Sequence, residues 1–370
     1  MKRSRQILGF FAHGLPLVAT LLVVGIIVAI IANFLIGGLP ALSWEFLTES
    51  PRNVNTEGGI FPAIYGTVLL VIIMTIAAVP IGTITAIYLA EYAKKTSKLA
   101  QFVRFAVNTL AGVPSIVFGL FGLGFFIQTI GGGIDNWNHQ AKMAELQQLV
   151  AAAPSPIANN SFAPVREIKA YLTQEDELKW RKEIQRLNQY EGGESAYANS
   201  QLVVTYLSSH TDPNWGKGNI LWAALTLSLL TLPVVIVAVE EALKAVPQEV
   251  RSASLALGAT RLETVWKIVL PNSLTGILTG SILAVGRGAG EVAPILFTGA
   301  AFSLAKLPGL QDQFMHLGFH LYILSTQAVN IDQARPLQFA TTIVLLGLTL
   351  ALNAVAIVIR SRIRRKNKSN

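Results

Sequence analysis

Two ionisable residues, Arg287 and Glu291, lie within a long apolar run of the sequence. Charged groups inside a membrane-length apolar segment are costly, so function is the first hypothesis for them. They are four residues apart, and on one helix this spacing places both side chains on the same face. The pair could be a structural ion pair that fixes this segment to a neighbouring helix. Alternatively, Arg287 could attract an anion through its planar fork of donors, with Glu291 pairing with it when the anion is absent.

Other chemical signatures in the sequence are weak or missing. His316 and His320 have a spacing that can bind metal, but without an H-E-x-x-H arrangement we interpret them as surface histidines and expect no metal. The alternating Gly286, Gly288 and Gly290 follow no strand, so they favour close helix packing over dinucleotide binding. The sequence contains no nucleophile elbow, no cysteine and no G-x-x-x-x-G-K-[ST] loop. We therefore expect no covalent catalysis and no bound cofactor, and energy must come from another chain or from an ion gradient.

The elements that carry these residues are long and apolar. Of 370 residues, 52% are hydrophobic and 14% are charged, against roughly 25% charged in ordinary soluble domains. The first apolar run exceeds the core of a signal peptide and no A-x-A site follows it, so we expect it to remain in the mature protein. The sequence predicts an all-α membrane protein with six transmembrane helices, near Leu15–Ile36, Ile64–Leu89, Thr109–Ile130, Ile220–Val239, Leu274–Ala301 and Phe339–Ile359.

The net charge of +8 separates by side of the membrane. The N-terminus, residues 91–108, residues 240–273 and the tail from Arg360 carry +3, +3, 0 and +6, whereas residues 37–59, 132–219 and 302–338 carry −2, −2 and 0. Cytoplasmic loops are enriched in Lys and Arg, so both termini are predicted to be cytoplasmic. Because topology explains the basic excess, we expect no nucleic-acid partner.

Three regions follow from this pattern: three transmembrane helices in 1–131, an insert in 132–219, and three more helices in 220–370 with a cytoplasmic loop at 240–271. The insert is highly charged and contains no run that could span a membrane, so it is predicted to be extracytoplasmic. Within it, Arg166–Tyr190 is predicted to form one or two amphipathic helices. The insert could be a solvated helical hairpin, or it could be a lid or docking surface for an external partner.

The cytoplasmic loop is patterned as two short helices. Pro247 suits a first helical turn before Gln248–Leu257, and Gly258 can end that helix at no steric cost. Thr260 and Glu263 have capping-box spacing and begin a second helix, Arg261–Leu270, which Pro271 is expected to end. An ordinary amphipathic interfacial loop is the alternative on this pattern alone.

This loop resembles the EAA loop of ABC importer permeases, through Ser252-Ala253-Ser254, Gly258, Ile268 and Leu270-Pro271 at the family spacing. In that family the loop forms a coupling helix that sits in a cleft of a cytoplasmic ATPase. Ser252 stands where the signature has Glu, and Glu249, one turn earlier, could take its place. The resemblance implies ATPase contacts through Glu249, Ser252, Ala253, Gly258, Ala259, Leu270 and Pro271.

Further stretches narrow the resemblance to the PstA-type permease subunits of phosphate importers. They are Phe46-Leu47-Thr48 with Pro51, residues 58–67, 86–92, 111–117, 256–261 and 286–291, and Ala293-Pro294. The resemblance covers most of 1–131 and 220–370 and leaves the insert out. It implies the type I (MetI-like) importer permease fold and alternating-access transport of inorganic phosphate in a bacterial inner membrane. The implied partners are a PstC-like permease subunit, two copies of a PstB-like ATPase that binds ATP and Mg²⁺, and a PstS-like phosphate-binding protein.

The same resemblance links Arg287 and Glu291 to the substrate pathway. It also adds Glu91 as a candidate gating residue, although its position at the cytoplasmic end of the second span favours an interfacial residue. Pro114 and Pro294 interrupt apolar runs and are further gating candidates, because helix breaks in transporters often accompany gating or a site. Other interpretations stay open: a permease for another oxyanion such as sulfate or molybdate, a secondary anion carrier or channel, or a membrane scaffold or signalling subunit. The loop with two helices argues against a carrier, and the intramembrane pair argues against a scaffold.

Overall fold

A computed structural model describes residues 2–52, 57–94, 96–153, 155, 157–159, 162–194, 196–328 and 330–369. For residues 2–15 and 364–369 it describes the helical backbone alone. Lys95, which enters the charge pattern, lies outside the described residues, as do the side chains of the basic residues nearest both ends.

The described chain is almost entirely helical. Its elements are α1 (Lys2–Gly38), α2 (Trp44–Thr48), β1 (Pro51–Arg52), β2 (Glu57–Gly58), α3 (Phe61–Ile87), α4 (Lys98–Ala111), α5 (Ser115–Phe121), α6 (Gly132–Ala152), β3 (Phe162–Pro164), α7 (Val165–Leu187), β4 (Tyr197–Asn199), α8 (Ser200–Ser208), α9 (Ile220–Lys244), α10 (Gln248–Ala256), α11 (Arg261–Thr264), α12 (Leu270–Gly288), α13 (Ala293–Leu296), α14 (Leu317–Thr326) and α15 (Ile331–Ser369). A 3₁₀ turn at Leu39–Ala41 extends α1. Segments of π-helix follow α3, α5 and α11, at Tyr88–Tyr92, Gly122–Gly131 and Val265–Val269.

Six helices of the described chain are long and apolar enough to cross a membrane. They are Pro16–Ala41, Phe61–Tyr92, Ser115–Ala152, Ile220–Lys244, Arg261–Gly288 and Ile331–Ile363. All six predicted spans are confirmed, although their ends differ, and the fifth runs from Arg261 to Gly288 instead of from Leu274 to Ala301. The third span begins at Ser115 instead of Thr109, because α4 is a separate helix and Pro114 is the N-cap of α5.

The chain forms two compact units, residues 1–123 with 218–370, and residues 124–217. In the first unit α3 packs against α9, α9 against α12, α12 against α15, and α15 against α1. Small residues allow α9 and α12 to approach closely: a Cβ atom added at Gly276 would lie 2.1 Å from the Cβ of Ala242, and one at Gly280 would lie 3.0 Å from the Cβ of Ala238. Such small-residue contacts are typical of helix packing in membranes, where close van der Waals contact replaces the hydrophobic effect.

The second unit has a core of its own. Trp180, Leu146, Ile168 and Leu187 are among its buried side chains, and β3 pairs with β4 in antiparallel register. Asp176 is extended and divides α7 into two helical segments, so the predicted stretch forms two helices. The unit therefore has more internal packing than a solvated hairpin would have.

The loop between the fourth and fifth spans, residues 240–271, differs from its prediction at two prolines. Pro247 is the N-cap of α10 and does not lie in its first turn. Pro271 does not end a helix, because α11, the π-helical segment Val265–Val269 and α12 form one continuous span. A proline inside a helix removes one backbone hydrogen bond and crowds the preceding turn, and the wider π-helical turn lies directly before it. The glycine turn and the capping box are confirmed: Gly258 has φ +88°, and Thr260 and Glu263 satisfy each other's backbone N–H groups.

Candidate functional site

Arg287 and Glu291 meet at the end of α12. Their closest atoms, Nε of Arg287 and Oε1 of Glu291, are 3.4 Å apart. The prediction that both lie on one face of a helix from Leu274 to Ala301 is wrong, because α12 ends at Gly288. Glu291 and Val292 form a non-helical link between α12 and α13, which begins at Ala293. Arg287, in contrast, occupies the last helical turn of α12.

The guanidinium of Arg287 is only partly engaged. Its side chain is 46% exposed and that of Glu291 is 22% exposed. Within the described residues, the two terminal nitrogens of Arg287 have no hydrogen-bond partner. A planar fork with free donors, next to a carboxylate on a separate segment, has the geometry needed to exchange that carboxylate for an anion.

A polar residue that the sequence reasoning missed lies beside this pair. The side-chain amide of Asn353, on α15, packs against Gly286. Its Oδ1 is buried and has no hydrogen-bond partner among the described residues. A buried unpartnered amide is uncommon. A single asparagine in the apolar run of α15 was the signal that could have identified it.

The two candidate gating prolines flank a tight contact. Pro294 is buried, and a Cβ atom at Gly119 of α5 would lie 3.0 Å from the Cα of Pro294. Pro114 sets the start of the same helix α5. The structure thus brings the segment after Glu291 against the third span, but it does not place Pro114 or Pro294 in contact with Arg287.

The residues assigned to ATPase contact are mostly exposed. Glu249, Ala253 and Ala259 line an open, apolar pocket of about 590 Å³, together with Val250, Ser254, Leu257 and Ile268. Leu257 is 90% exposed. Ser252 and Gly258 are exposed nearby, whereas Leu270 and Pro271 are partly buried in the continuous helix. Exposed apolar surface next to a helix end is typical of an interaction site.

Glu91 is not isolated at the end of its helix. It lies in the π-helical segment that ends the second span, and its Oε1 is 2.9 Å from Nη2 of Arg251, on α10. The two side chains are 13% and 12% exposed. Arg251 also donates to the carbonyl oxygen of Leu243 (2.6 Å), near the end of α9, and to that of Val246, in the link that follows α9.

A second basic residue binds the same helix ends. Arg104 of α4 donates to the carboxylate of Glu240, on α9, and to the carbonyl oxygen of Leu89, at 3.0 Å. Lys244 also pairs with Glu240, at 2.8 Å. The last carbonyls of a helix have no partner within the helix and carry partial negative charge, so cationic side chains stabilise them.

The interpretation of His316 and His320 as surface residues is wrong. Both are buried, His316 as the N-cap of α14 and His320 within it. They lie outside the six candidate spans, and burial lowers the pKa of each imidazole to about 4. Among the described residues, no group of three or more His, Cys, Asp or Glu side chains could hold a metal ion.

Comparison with known proteins places these features in a family. A family model described as "Binding-protein-dependent transport system inner membrane component" matches residues 78–366. The probable ABC transporter permease protein YqgI of Bacillus subtilis is 25% identical over 80% of this chain and 71% of its own length. The phosphate transport system permease protein PstA 1 of Mycobacterium tuberculosis is 28% identical over 84% of this chain and 75% of its own length.

The chain is also similar to another curated permease and, more weakly, to a solved transporter structure. The phosphate transport system permease protein PstA of Yersinia pestis is 29% identical over 70% of this chain and 60% of its own length. An inward-facing structure of the MetNI methionine ABC transporter has a TM-score of 0.45 and 15% identity, and covers 82% of this chain and 94% of the matched one. The resemblance to PstA-type permeases is thus confirmed by several relatives. The chain is a multi-pass integral membrane protein and belongs to the binding-protein-dependent transport system inner membrane component family, the permease subunits of ABC importers.

Proposed function

We propose that this chain is a PstA-type permease subunit of an ATP-driven importer for inorganic phosphate. Relatives that carry this name match most of the chain. The observation that carries the proposal is the Arg287–Glu291 pair, because it places an anion-binding group in a candidate membrane span whose other residues between Leu270 and Gly286 are uncharged.

The pair supports a simple exchange mechanism. In the resting state Glu291 compensates the charge of Arg287. When phosphate arrives, its oxygens take the free donors of the guanidinium and Glu291 moves away with its non-helical link. The arginine is therefore never left uncompensated, which matters because an unpaired charge in an apolar medium is strongly unfavourable.

The exposure of Arg287 supports a second permease subunit. The guanidinium of Arg287 is 46% exposed, one residue before the end of its span at Gly288, and is therefore open to a neighbouring chain. We therefore propose that this face of α12 meets a PstC-like partner and that the substrate pathway runs between the two chains, with Glu91, Pro114 and Pro294 in gating roles.

Energy enters through the cytoplasmic loop. The partner is a PstB-like ATPase, present in two copies. We assign its contact to the surface around Leu257. We also assign contact to the residues that the family resemblance implies, which are Glu249, Ser252, Ala253, Gly258, Ala259, Leu270 and Pro271. ATP and Mg²⁺ belong to that ATPase, and the permease chain itself binds no cofactor and performs no covalent chemistry.

The charge pattern supports a bacterial inner-membrane location with both termini cytoplasmic and the region 132–219 outside. A PstS-like binding protein would then deliver phosphate from the external side. If the insert is a docking surface for it, deleting residues 140–209 should weaken that delivery. Unchanged uptake and partner binding would assign the insert to another role.

Labelled-phosphate uptake tests the proposal, in cells that carry the intact importer and in cells with Arg287→Gln at matched membrane expression. Sulfate and molybdate serve as competitors. The matched control is Lys306→Gln, which removes an exposed basic residue outside the candidate membrane spans. Loss of phosphate uptake in Arg287→Gln alone supports the substrate and the site. Full competition by another oxyanion would reassign the substrate, and normal uptake in Arg287→Gln would reduce the pair to a structural role. Uptake that survives ATP depletion would favour a secondary carrier.

A further inference from the structure

The coupling helix α10 is attached to the membrane helices in an unusual way. Of its nine residues, none is buried, and only Arg251 and Ser254 are even partly covered. They are three residues apart and therefore lie on one face. The apolar packing that usually holds a short helix in place is missing on this helix.

Both covered residues make polar contacts with membrane-spanning elements. Ser254 Oγ is 3.0 Å from Thr264 Oγ1, at the end of α11. Arg251 binds the carboxylate of Glu91, in the second span. It also donates to the carbonyl oxygens of Leu243 and Val246, at and just after the end of α9. One guanidinium thus joins α10 to the second and fourth spans together.

Arg251 lies at a pocket between α10 and the ends of the membrane helices. A polar pocket of about 360 Å³ separates α10 from the helix ends, and its wall includes Glu91, Tyr92 and Val265, which belong to two π-helical segments. Open space transmits no force, and π-helical turns are frequent at functional sites. The peptide chain of residues 245–247 connects α10 directly to α9, whereas the connection of α10 to the second span is the bond of Arg251 with Glu91.

We propose that Arg251 is a positioning residue that transmits movement of the coupling helix to the second span, with Glu91 as its ionic partner and the backbone carbonyls near the end of α9 as its anchor. The proposal rests on the proposed function as an ATP-driven permease. It gives the gating role of Glu91 a specific form, the transmission of movement from α10 to the second span.

The test compares transport with ATP hydrolysis in the assembled importer, reconstituted in proteoliposomes. In Arg251→Met we expect phosphate taken up per ATP hydrolysed to fall at least about tenfold, since hydrogen bonds to charged groups are individually strong, while the ATPase rate and complex assembly stay close to wild type. Glu91→Gln, which keeps an acceptor but removes the charge, should lower the same ratio less. Lys98→Met, which removes a cation without a partner in the described residues, is the control. A parallel fall in uptake and hydrolysis, or no fall, would overturn the proposal.

A second measurement does not depend on the substrate. Since the chain contains no cysteine, spin labels can be placed at Ile84→Cys on α3 and Ala256→Cys on α10, both at exposed positions. With Arg251 present, the label distance should stay the same between nucleotide-free and ATP–vanadate-trapped complexes. In Arg251→Met it should change on trapping. An unchanged distance in both would refute the transmission role, whereas a wild-type complex that traps nucleotide but moves no phosphate would refute only the substrate assignment.

Discussion

Glu291 lies 3.4 Å from the guanidinium of Arg287 although the helix that carries Arg287 ends before reaching it. The spacing of four residues is therefore not enforced by helical geometry. The carboxylate can leave the arginine through rotation of the link around Gly290, while α12 keeps its position against α9. The exchange mechanism requires this independence.

The exchange mechanism predicts that the two residues act as a unit. Arg287→Gln and Glu291→Gln should each reduce the maximal rate of uptake at least about tenfold, and the double variant should lose no more than Arg287→Gln alone, because residues in one network are not additive. Uptake rates normalised to membrane expression measure this. Losses that multiply in the double variant would mean independent roles.

The coupling surface predicts a local binding defect. Leu257→Glu places a charge in the apolar pocket beside α10, and a hot spot in such a pocket contributes about 2 kcal/mol or more to binding. Co-purification of the ATPase with the permease should fall steeply, while thermal stability of the permease changes little, since Leu257 is exposed. Leu178→Glu, at an exposed position of the second unit, should leave co-purification intact. Equal losses in the two variants would contradict the assignment.

The close contact between α9 and α12 predicts a steric effect. Gly276→Val should destabilise the protein by about 1–3 kcal/mol, because the added methyl groups have no space next to Ala242. Thermal unfolding in detergent measures it. The control is Gly347→Val on α15, where an added Cβ would meet open space. If both variants unfold at the same temperature, the helices do not pack as described.

The buried histidines predict a pH-dependent stability. Their pKa values are about 4 in the folded protein, against about 6.5 in an unfolded chain. Below pH 6.5 the unfolded chain binds protons that the folded chain does not, so the free energy of unfolding falls with falling pH, by at most about 2.7 kcal/mol per unit for the two groups.

Unfolding temperatures of the wild type between pH 7 and pH 5 should show this decrease. His316→Asn, which keeps an acceptor for the N–H of Gly318, and His320→Leu should each weaken it. His210→Asn, at an exposed histidine, should not. The same slope in all four proteins would show that other groups control the acid sensitivity.

The second unit, residues 124–217, has its own buried core, so we expect it to unfold separately from the membrane helices. Trp180→Ala should destabilise residues 124–217 by about 3–5 kcal/mol, as expected for loss of a buried aromatic side chain. Limited proteolysis should then cut this unit sooner while the membrane helices stay protected. Trp137→Ala, at an exposed tryptophan, is the control. Digestion of both units together would indicate a single cooperative structure.

Features that obey local rules were predictable from the sequence. The turn at Gly258 and the capping box of Thr260 and Glu263 depend on neighbours a few residues away, and both are confirmed. The six spans were predictable for a similar reason, since length and apolar composition are properties of one segment.

Features that depend on distant partners were not predictable. Arg251 and Glu91 are 160 residues apart in the chain, and no pattern in one sequence pairs them. Burial of His316 and His320 depends on packing against other helices. Pro271 looked like a helix end because proline rules apply to regular α-helix, whereas the preceding turn is π-helical.

The two π-helical segments beside the coupling helix have a consequence for evolution. A π-helical turn accommodates one residue more than an α-helical turn, so removing one residue restores regular α-helix. The wide turn absorbs the additional residue, so the flanking helix keeps its orientation when that residue is gained or lost. Residues 88–92 and 265–269 are therefore the places where single-residue insertions and deletions could be accepted during divergence. Lineages could change chain length there without turning the faces of the flanking spans.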